Sequence, residues 1–269
     1  MAELPWGTNK LKKLGACIRD GEPIAPSLPS YDEVMLFYND LAADTQARIE
    51  GLDWGPLLDD RIPEVTSRPK TIDTLRQKLR RDRTTQLPSI QDIAGVRFEA
   101  EMTMDEQDAV ANAIAGLFGQ NLGKCMKDLR DSPHSGYRAV HLWLRLPARV
   151  EVQIRTHLQG HWANAYEAVA DVFGREIRYD EMPKGQAQRK LVKSLQGLSL
   201  EGIRPLEEAR VASQRLFDHF QRLNVDPHDP EYDILRKQVE DMDVFEANVR
   251  KSLAEVKEMF DTMRHSMKG

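Results

Sequence analysis

Nothing in this chain restricts its fold more than residues 138–154, RAVHLWLRLPARVEVQI. Ala139, His141, Trp143 and Arg145 alternate there with Arg138, Val140, Leu142, Leu144 and Leu146. Successive side chains on a strand point to opposite faces, so this spacing predicts a half-buried strand. Pro147 and Ala148 leave room only for a tight turn before residues 149–154, and the two runs should pair as an antiparallel hairpin. On the second run Val150, Val152 and Ile154 form an apolar face, while Glu151, Gln153 and Arg155 share the other. A carboxylate, an amide and a guanidinium in a row on a strand fit a chemical site better than a core.

The rest of the chain supplies covering helices. Residues 1–30 carry Pro and Gly at several points and read as a loosely ordered arm with a short helix at 10–19. A helix should start at Ser30 or Asp32, which can cap it, with Val34, Met35, Phe37, Tyr38, Leu41 and Ala42 at helical spacing. Residues 63–69 read as extended, a helix begins at Thr71, 93–100 form a strand, and 104–118 form an amphipathic helix. Thr156 should cap a helix running to Val172. Strands alternating with helices argue for an α/β (α+β) domain with a mixed sheet flanked by helices. Helices are expected at 184–196, 205–223 and 230–263, the last a rod of about 33 residues and roughly 50 Å. An apolar stripe from Tyr232 to Met263 means that this rod packs on its own domain or on a partner. The organisation is therefore an arm (1–30), a core domain (31–183) and a helical extension (184–269).

Charge is unevenly spread. The 269 residues, 41% hydrophobic and 30% charged, carry a net charge of -5, which argues against a protein that coats nucleic acid. Residues 67–97 nevertheless hold eight Lys or Arg against Asp73, Asp82 and Asp92, a balance suited to a polyphosphate ligand, although a solvated helix face would look similar. No run approaches the roughly 18 apolar residues of a membrane span. The first residues lack the apolar centre of a signal peptide, and Cys17 and Cys125 are too isolated for a disulfide framework, so a reducing cytoplasm is expected.

Four ordered segments carry a family resemblance: SRPKTIDTLRQKL, SIQDIAGVRF, KDLRDSPHSGYRAVH, and VEVQIRT with HWANAYE. Together they resemble the synthetase domain of RelA/SpoT alarmone synthetases, which move pyrophosphate from ATP to a ribose 3′-hydroxyl on a nucleotidyltransferase-like mixed sheet. The resemblance implies a GTP pyrophosphokinase-like enzyme that takes ATP as substrate and uses Mg²⁺. In that case Arg68 and Arg97 would sandwich the adenine, since a guanidinium stacks on a flat ring. Lys70, Thr74 and Lys78 would meet the ATP phosphates. Asp92 would ligate Mg²⁺, which prefers oxygen, and Glu151 would both help hold it and take the 3′-OH proton. Tyr137 would stack on the acceptor base, with Lys127 and Arg138 near the acceptor's phosphate or ribose. His141, Gln153 and Arg155 would either orient the reacting groups from behind or touch the transition state, with His141 on the acceptor side.

The acceptor region departs from the family pattern. Leu129 stands where a Tyr is usual, the loop reads Pro133-His134-Ser135-Gly136, Gly160 replaces a common Asn or Asp, and Tyr166-Glu167 replace Glu-His. Changing polar groups in a base pocket alters discrimination most. This resembles toxic, phage-encoded or toxin–antitoxin small synthetases and makes the 3′ end of uncharged tRNA the expected acceptor. Arg80, Arg81, Arg83, Arg175, Arg178 and Lys184 would then receive its phosphates. The alternatives are synthesis of (p)ppGpp or (p)ppApp from guanosine or adenosine nucleotides, and a catalytically inactive binding module. The C-terminal helices would neutralise the enzyme, mediate self-association or bind an antitoxin.

Some residues invite simpler readings. His157 and His161 have metal-ligand spacing but no adjacent Glu or third ligand, which disfavours zinc. His228-Asp229 resembles a phosphohydrolase dyad, yet it lies between Pro227 and Pro230, where Asp229 suits a helix N-cap. Trp143 and Trp162 are expected in the core.

Overall fold

The computed structural model describes residues 1–131 and 133–267, with the side chains of Arg68 and Pro69 outside that description. The chain opens with helices α1 (Thr8–Asp20) and α2 (Tyr31–Glu50) and a single turn, α3 (Gly55–Leu58). Strand β1 (Glu64–Pro69) leads into α4 (Ile72–Arg81), and β2 (Ala94–Ala100) leads into α5 (Met104–Leu117). The turn α6 (Leu122–Cys125) and short strand β3 (Met126–Asp128) precede the hairpin of β4 (Val140–Arg145) and β5 (Arg149–Thr156). Helices α7 (His157–Phe173), α8 (Gln186–Gly197), α9 (Arg204–Arg222) and α10 (Pro230–Ser266) follow.

Local chemistry sets the helix starts. The Ser30 hydroxyl accepts from the Glu33 amide while the Glu33 carboxylate accepts from the Ser30 amide, so α2 begins with two otherwise orphaned donors satisfied. Thr156 and Gln159 repeat the device at α7. Asp229 caps α10 by accepting from the Glu231 amide at 2.9 Å, the role its flanking prolines suggested. The break expected between α8 and α9 is instead a π-helical stretch, Leu198–Ile203. A π turn has already left the regular hydrogen-bond ladder, so Pro205, with no N–H to give, is tolerated just beyond it.

The described chain divides into two compact units, each built from separate stretches. The first comprises residues 1–100, 109–127 and 140–154; the second comprises 101–108, 128–139 and everything from Arg155 onward.

The first unit is organised on a mixed five-stranded sheet in the order β1-β2-β5-β4-β3. Strands β1 and β2 are antiparallel, with Thr66 opposite Arg97 and Arg68 opposite Gly95. Strands β4 and β5 are also antiparallel, with His141 opposite Gln153 and Trp143 opposite Glu151. Val140, Leu142, Leu144, Val150, Val152 and Ile154 are fully buried. Each is worth about 1.5–3 kcal/mol on burial, and a one-residue slip of register would turn the whole set outward. That fixes the opposite face: His141, Trp143, Glu151 and Gln153 must share it. Trp143 is accordingly 37% exposed rather than in the core, because it occupies an odd-numbered position on β4. Helix α2 lies on β1 and β2, and the edge of Trp54 meets Phe98 with ring centroids 4.8 Å apart.

In the second unit α7 is the hub. Its Leu158, Trp162, Tyr166 and Val169 pack with Val192, Leu195 and Ile203, and with Val249, Leu253 and Phe260 of α10. Trp162 stacks on Tyr166 at 4.7 Å and donates its indole N–H to the Leu195 carbonyl at 2.7 Å. Helix α10 has 37 residues, about 55 Å, and it packs on α7 within its own unit. Its apolar stripe is only partly covered, since Phe245 and Met263 remain 47% and 43% exposed. Among the described residues no helix is long and apolar enough to cross a membrane.

Candidate active site

In the first unit, β1 and β2 bring a cation cluster onto one carboxylate. Lys70 follows β1 directly and Lys78 lies on α4, whose first turn is capped by Thr71 accepting from the Thr74 amide. Both ammonium groups reach Asp92, just before β2: Lys70 pairs with one carboxylate oxygen, and Lys78 with the other at 2.7 Å. Burial pushes the Asp92 carboxyl up, but the two lysines outweigh it and hold the group below its ordinary range. Burial pulls the Lys70 ammonium down, partly opposed by Asp92. Thr74 donates its hydroxyl to the Thr71 carbonyl at 2.8 Å. Arg97 is half-buried on β2 opposite Thr66. The backbone of Arg68 pairs with Gly95, while its side chain lies outside the described residues.

The second feature of this unit is Glu151, 8% exposed on β5. Its Oε1 accepts from the Trp143 indole N–H at 3.2 Å and lies 3.3 Å from His141 Nδ1. Its Oε2 accepts from the Gln153 amide at 2.9 Å. Burial alone would raise this carboxyl, and the Asp92 charge adds to that, yet the His141 and Gln153 contacts bring it below its ordinary range. Glu151 is therefore a buried carboxylate kept ionised. An ionised carboxyl offers about four acceptor sites, so these three contacts leave capacity on Oε2. The exposed Lys127 on β3 completes this side, its ammonium 5.1 Å from the centre of the Trp143 ring.

The second unit holds the other expected residues. Gly136 has φ of +86°, and a Cβ there would lie 2.9 Å from Trp162 Cζ2 and 3.1 Å from Gln196 Cα, so this tight loop requires glycine. The loop is tied down further by Ser135, whose hydroxyl donates to Asp180 at 2.8 Å, and by Ser199, which donates to the Gly136 carbonyl at 2.6 Å. Tyr137 follows. Its hydroxyl accepts from Arg155 Nε at 3.2 Å and Nη2 at 2.8 Å, and the guanidinium carbon lies 5.1 Å from the ring centre. Arg138, two residues before β4, is 2% exposed, with Nη1 donating to Glu207 at 2.5 Å. Glu207 also accepts from Thr156 at 2.6 Å and from Gln159 at 3.0 Å. Gln159 accepts from Gln107, which in turn accepts from Arg130 at 3.1 Å.

Of the residues singled out from the sequence, the structure brings Lys70, Lys78 and Asp92 together in one cluster, His141, Glu151 and Gln153 in another, and Tyr137 and Arg155 into contact. Two residues were missed. The alternation of β4 already put Trp143 on the polar face beside Glu151, and that signal should have outweighed the habit of burying tryptophans. Glu207 left no signal, because it lies on α9, 69 residues from its partner Arg138. Of the arginines expected to meet tRNA, Arg175 pairs with Asp171 at 3.1 Å, Arg178 lies 3.9 Å from Glu167, and Arg80 donates to the Arg19 carbonyl. Arg81 and Arg83 are exposed beyond them.

Among the described residues no group of three His, Cys, Asp or Glu could hold a metal unaided. Asp92 and Glu151, carboxylates of the same unit, are the residues that would hold an ion such as Mg²⁺, which binds one or two carboxylates and completes its shell with water and substrate phosphates.

Residues 67–171 match the region found in RelA / SpoT proteins. Uncharacterized proteins of Mycobacterium tuberculosis and Mycobacterium bovis are 52% identical over 197 residues, covering 72% of this chain and 70% of theirs. The structure of small alarmone synthetase 1 from Bacillus subtilis superposes with a TM-score of 0.52 at 21% identity, covering 70% of this chain and 98% of that one. A GTP pyrophosphokinase family protein from Streptococcus pneumoniae gives 0.51 at 18% identity, with 72% and 97% covered. The chain belongs to the RelA/SpoT family.

Proposed function

We propose that the protein transfers the β,γ-pyrophosphate of ATP to the ribose 3′-hydroxyl of a purine nucleoside phosphate, making an alarmone. The observation that carries this reading is Glu151, a carboxylate 8% exposed and held by Trp143, His141 and Gln153, in the same unit as Asp92 in its Lys70–Lys78 cradle. In the reaction the acceptor's O3′ attacks the β-phosphorus, the bond from Pβ to the α,β-bridging oxygen breaks, and AMP leaves. The proton from the 3′-hydroxyl goes to Glu151, geometry that suits a general base on a rigid strand. Lys70 and Lys78 neutralise the triphosphate, and Arg68, Thr74 and Arg97 complete the ATP side. Mg²⁺, held by Asp92 and Glu151, would offset charge on the transferring group. Tyr137 would stack on the acceptor base with its hydroxyl held by Arg155, and Lys127 would meet the acceptor's phosphate. Arg138, sealed against Glu207, supports that loop from behind. In this reading residues 31–183 are the catalytic part and the extension from 184 acts as a buttress.

A nucleotide acceptor is favoured over the tRNA 3′ end suggested by the altered acceptor loop. The arginines that would carry a tRNA backbone are partly spent on Asp171 and Glu167. A relative of the same fold, the Bacillus subtilis small alarmone synthetase 1, is known bound to its product pppGpp. The test offers GDP, GTP, AMP and uncharged tRNA side by side with ATP labelled in the β,γ-phosphates. Transfer to a nucleotide, lost in Glu151→Gln while ATP binding persists, is the expected result. Label on tRNA alone overturns the acceptor, and label on nothing overturns the enzyme reading.

A further inference from the structure

Trp143 is a large aromatic side chain on the open face of the sheet, and burial does not explain it: the residue is 37% exposed. An indole has one hydrogen-bond donor and no acceptor. Here that donor goes to Glu151 Oε1 at 3.2 Å, directly across the β4–β5 pairing. The ring serves a second group, because the Lys127 ammonium lies 5.1 Å from its centre, within cation–π range. Edge and face of one side chain therefore touch the two groups that the proposed reaction must space correctly. A Phe at this position would fill the same slot on the strand and keep the face, but would offer Glu151 nothing.

We propose that Trp143 is a two-sided positioning residue, whose indole N–H fixes the Glu151 carboxylate and whose ring face fixes the Lys127 ammonium, so that the base and the acceptor's phosphate are held at a set separation. The inference rests on the pyrophosphotransferase reading above and deepens it. It divides the kinetic effect of two substitutions. Trp143→Phe removes only the donor, so kcat falls about tenfold, the scale of one hydrogen bond to a charged group, while the acceptor KM stays unchanged. Trp143→Leu removes donor and ring together, so the same fall in kcat is joined by a rise in acceptor KM of about threefold. Lys127→Met raises the acceptor KM in both backgrounds, and by about threefold less in the Trp143→Leu background, where the ring's share is already lost. Neither Trp143 substitution opens a core cavity, because the ring stands half in solvent.

The experiment is steady-state kinetics of wild type, Trp143→Phe, Trp143→Leu, Lys127→Met and the Leu/Met double variant, with ATP and the best nucleotide acceptor varied separately. The split described, with ATP KM constant throughout, supports the proposal. Unchanged kcat in Trp143→Phe overturns it, and so does a parallel drift of kcat, ATP KM and acceptor KM in both Trp143 variants, which is what mere loosening of the sheet would give. Absence of transfer by the wild-type enzyme to every nucleotide overturns the proposed function, and this inference with it.

Discussion

Replacing Glu207 by Gln exchanges one buried carboxylate oxygen for an amide nitrogen, and its cost can be worked out from the contacts. Oε2 accepts from Arg138, and Oε1 accepts from both Thr156 and Gln159. Every one of these partners is a donor, so the new NH₂ group faces a donor in either orientation. Glu207 is 5% exposed and Arg138 is 2% exposed, so water cannot screen the loss. A charge-assisted bond contributes about 1.5–3 kcal/mol, and stranding the partner of a buried pair costs about 3–5 kcal/mol in all. With a urea slope near the upper end of about 1–3 kcal/mol/M, the unfolding midpoint should fall by about 1–2 M. Trp162 fluorescence suits the assay, because that indole belongs to the same unit. Adding Arg138→Met to Glu207→Gln should recover part of the loss, since no guanidinium is then stranded and the new amide carbonyl can still accept from Thr156 and Gln159. If Glu207→Gln unfolds at the wild-type midpoint, or the double variant is no better than the single, the pair does not hold this region.

Two further predictions concern the second unit. The Glu101 carboxyl is pulled from its ordinary 4.5 to about 2, chiefly by its hydrogen bond with His157, with Arg250 assisting against burial. Being depressed, it adds stability that is fully present above about pH 4.5 and is lost as pH falls toward 2. The stability difference between wild type and Glu101→Gln, followed by urea titration from pH 6 to 2, should therefore shrink across that window, and a constant difference would contradict the assignment. Gly136→Ala forces a Cβ to 2.9 Å from the Trp162 ring and strains a left-handed backbone, which should cost about 1–3 kcal/mol. Thermal unfolding measures it, and a variant as stable as wild type would mean that the loop has another conformation open to it.

The sheet and its polar face were legible because period-2 alternation is a strong local signal. Six apolar residues on the β4–β5 hairpin could point only one way, and that alone placed His141, Glu151 and Gln153 together. The cations around Asp92 were legible in part. Composition showed a basic stretch, and only the fold showed that Lys70 and Lys78 converge on one carboxylate. Trp143 shows how a residue-type habit can mislead where the pattern was already sufficient. The helical punctuation near Pro205 misled for a different reason: proline and glycine mark a break in an α-helix, but a π-helical turn absorbs them and the chain stays helical. Glu207 was illegible in principle, since nothing in an exposed-looking amphipathic helix reveals that one of its carboxylates meets an arginine 69 residues earlier.

The ion pair between Glu101 and Arg250 spans 149 residues, and it lies in the same unit as Tyr137 and Arg155. A ribosome adding about 5–20 residues per second needs roughly 7–30 seconds to travel between those two codons. The stretch carrying Arg138 is likewise made before its counterpart Glu207 on α9, 69 residues later. The first unit has every strand it needs once residue 154 is made, whereas the second must wait for its last helix. Growing chains would therefore form the cluster of Lys70, Lys78 and Asp92 before α9 delivers Glu207 to Arg138.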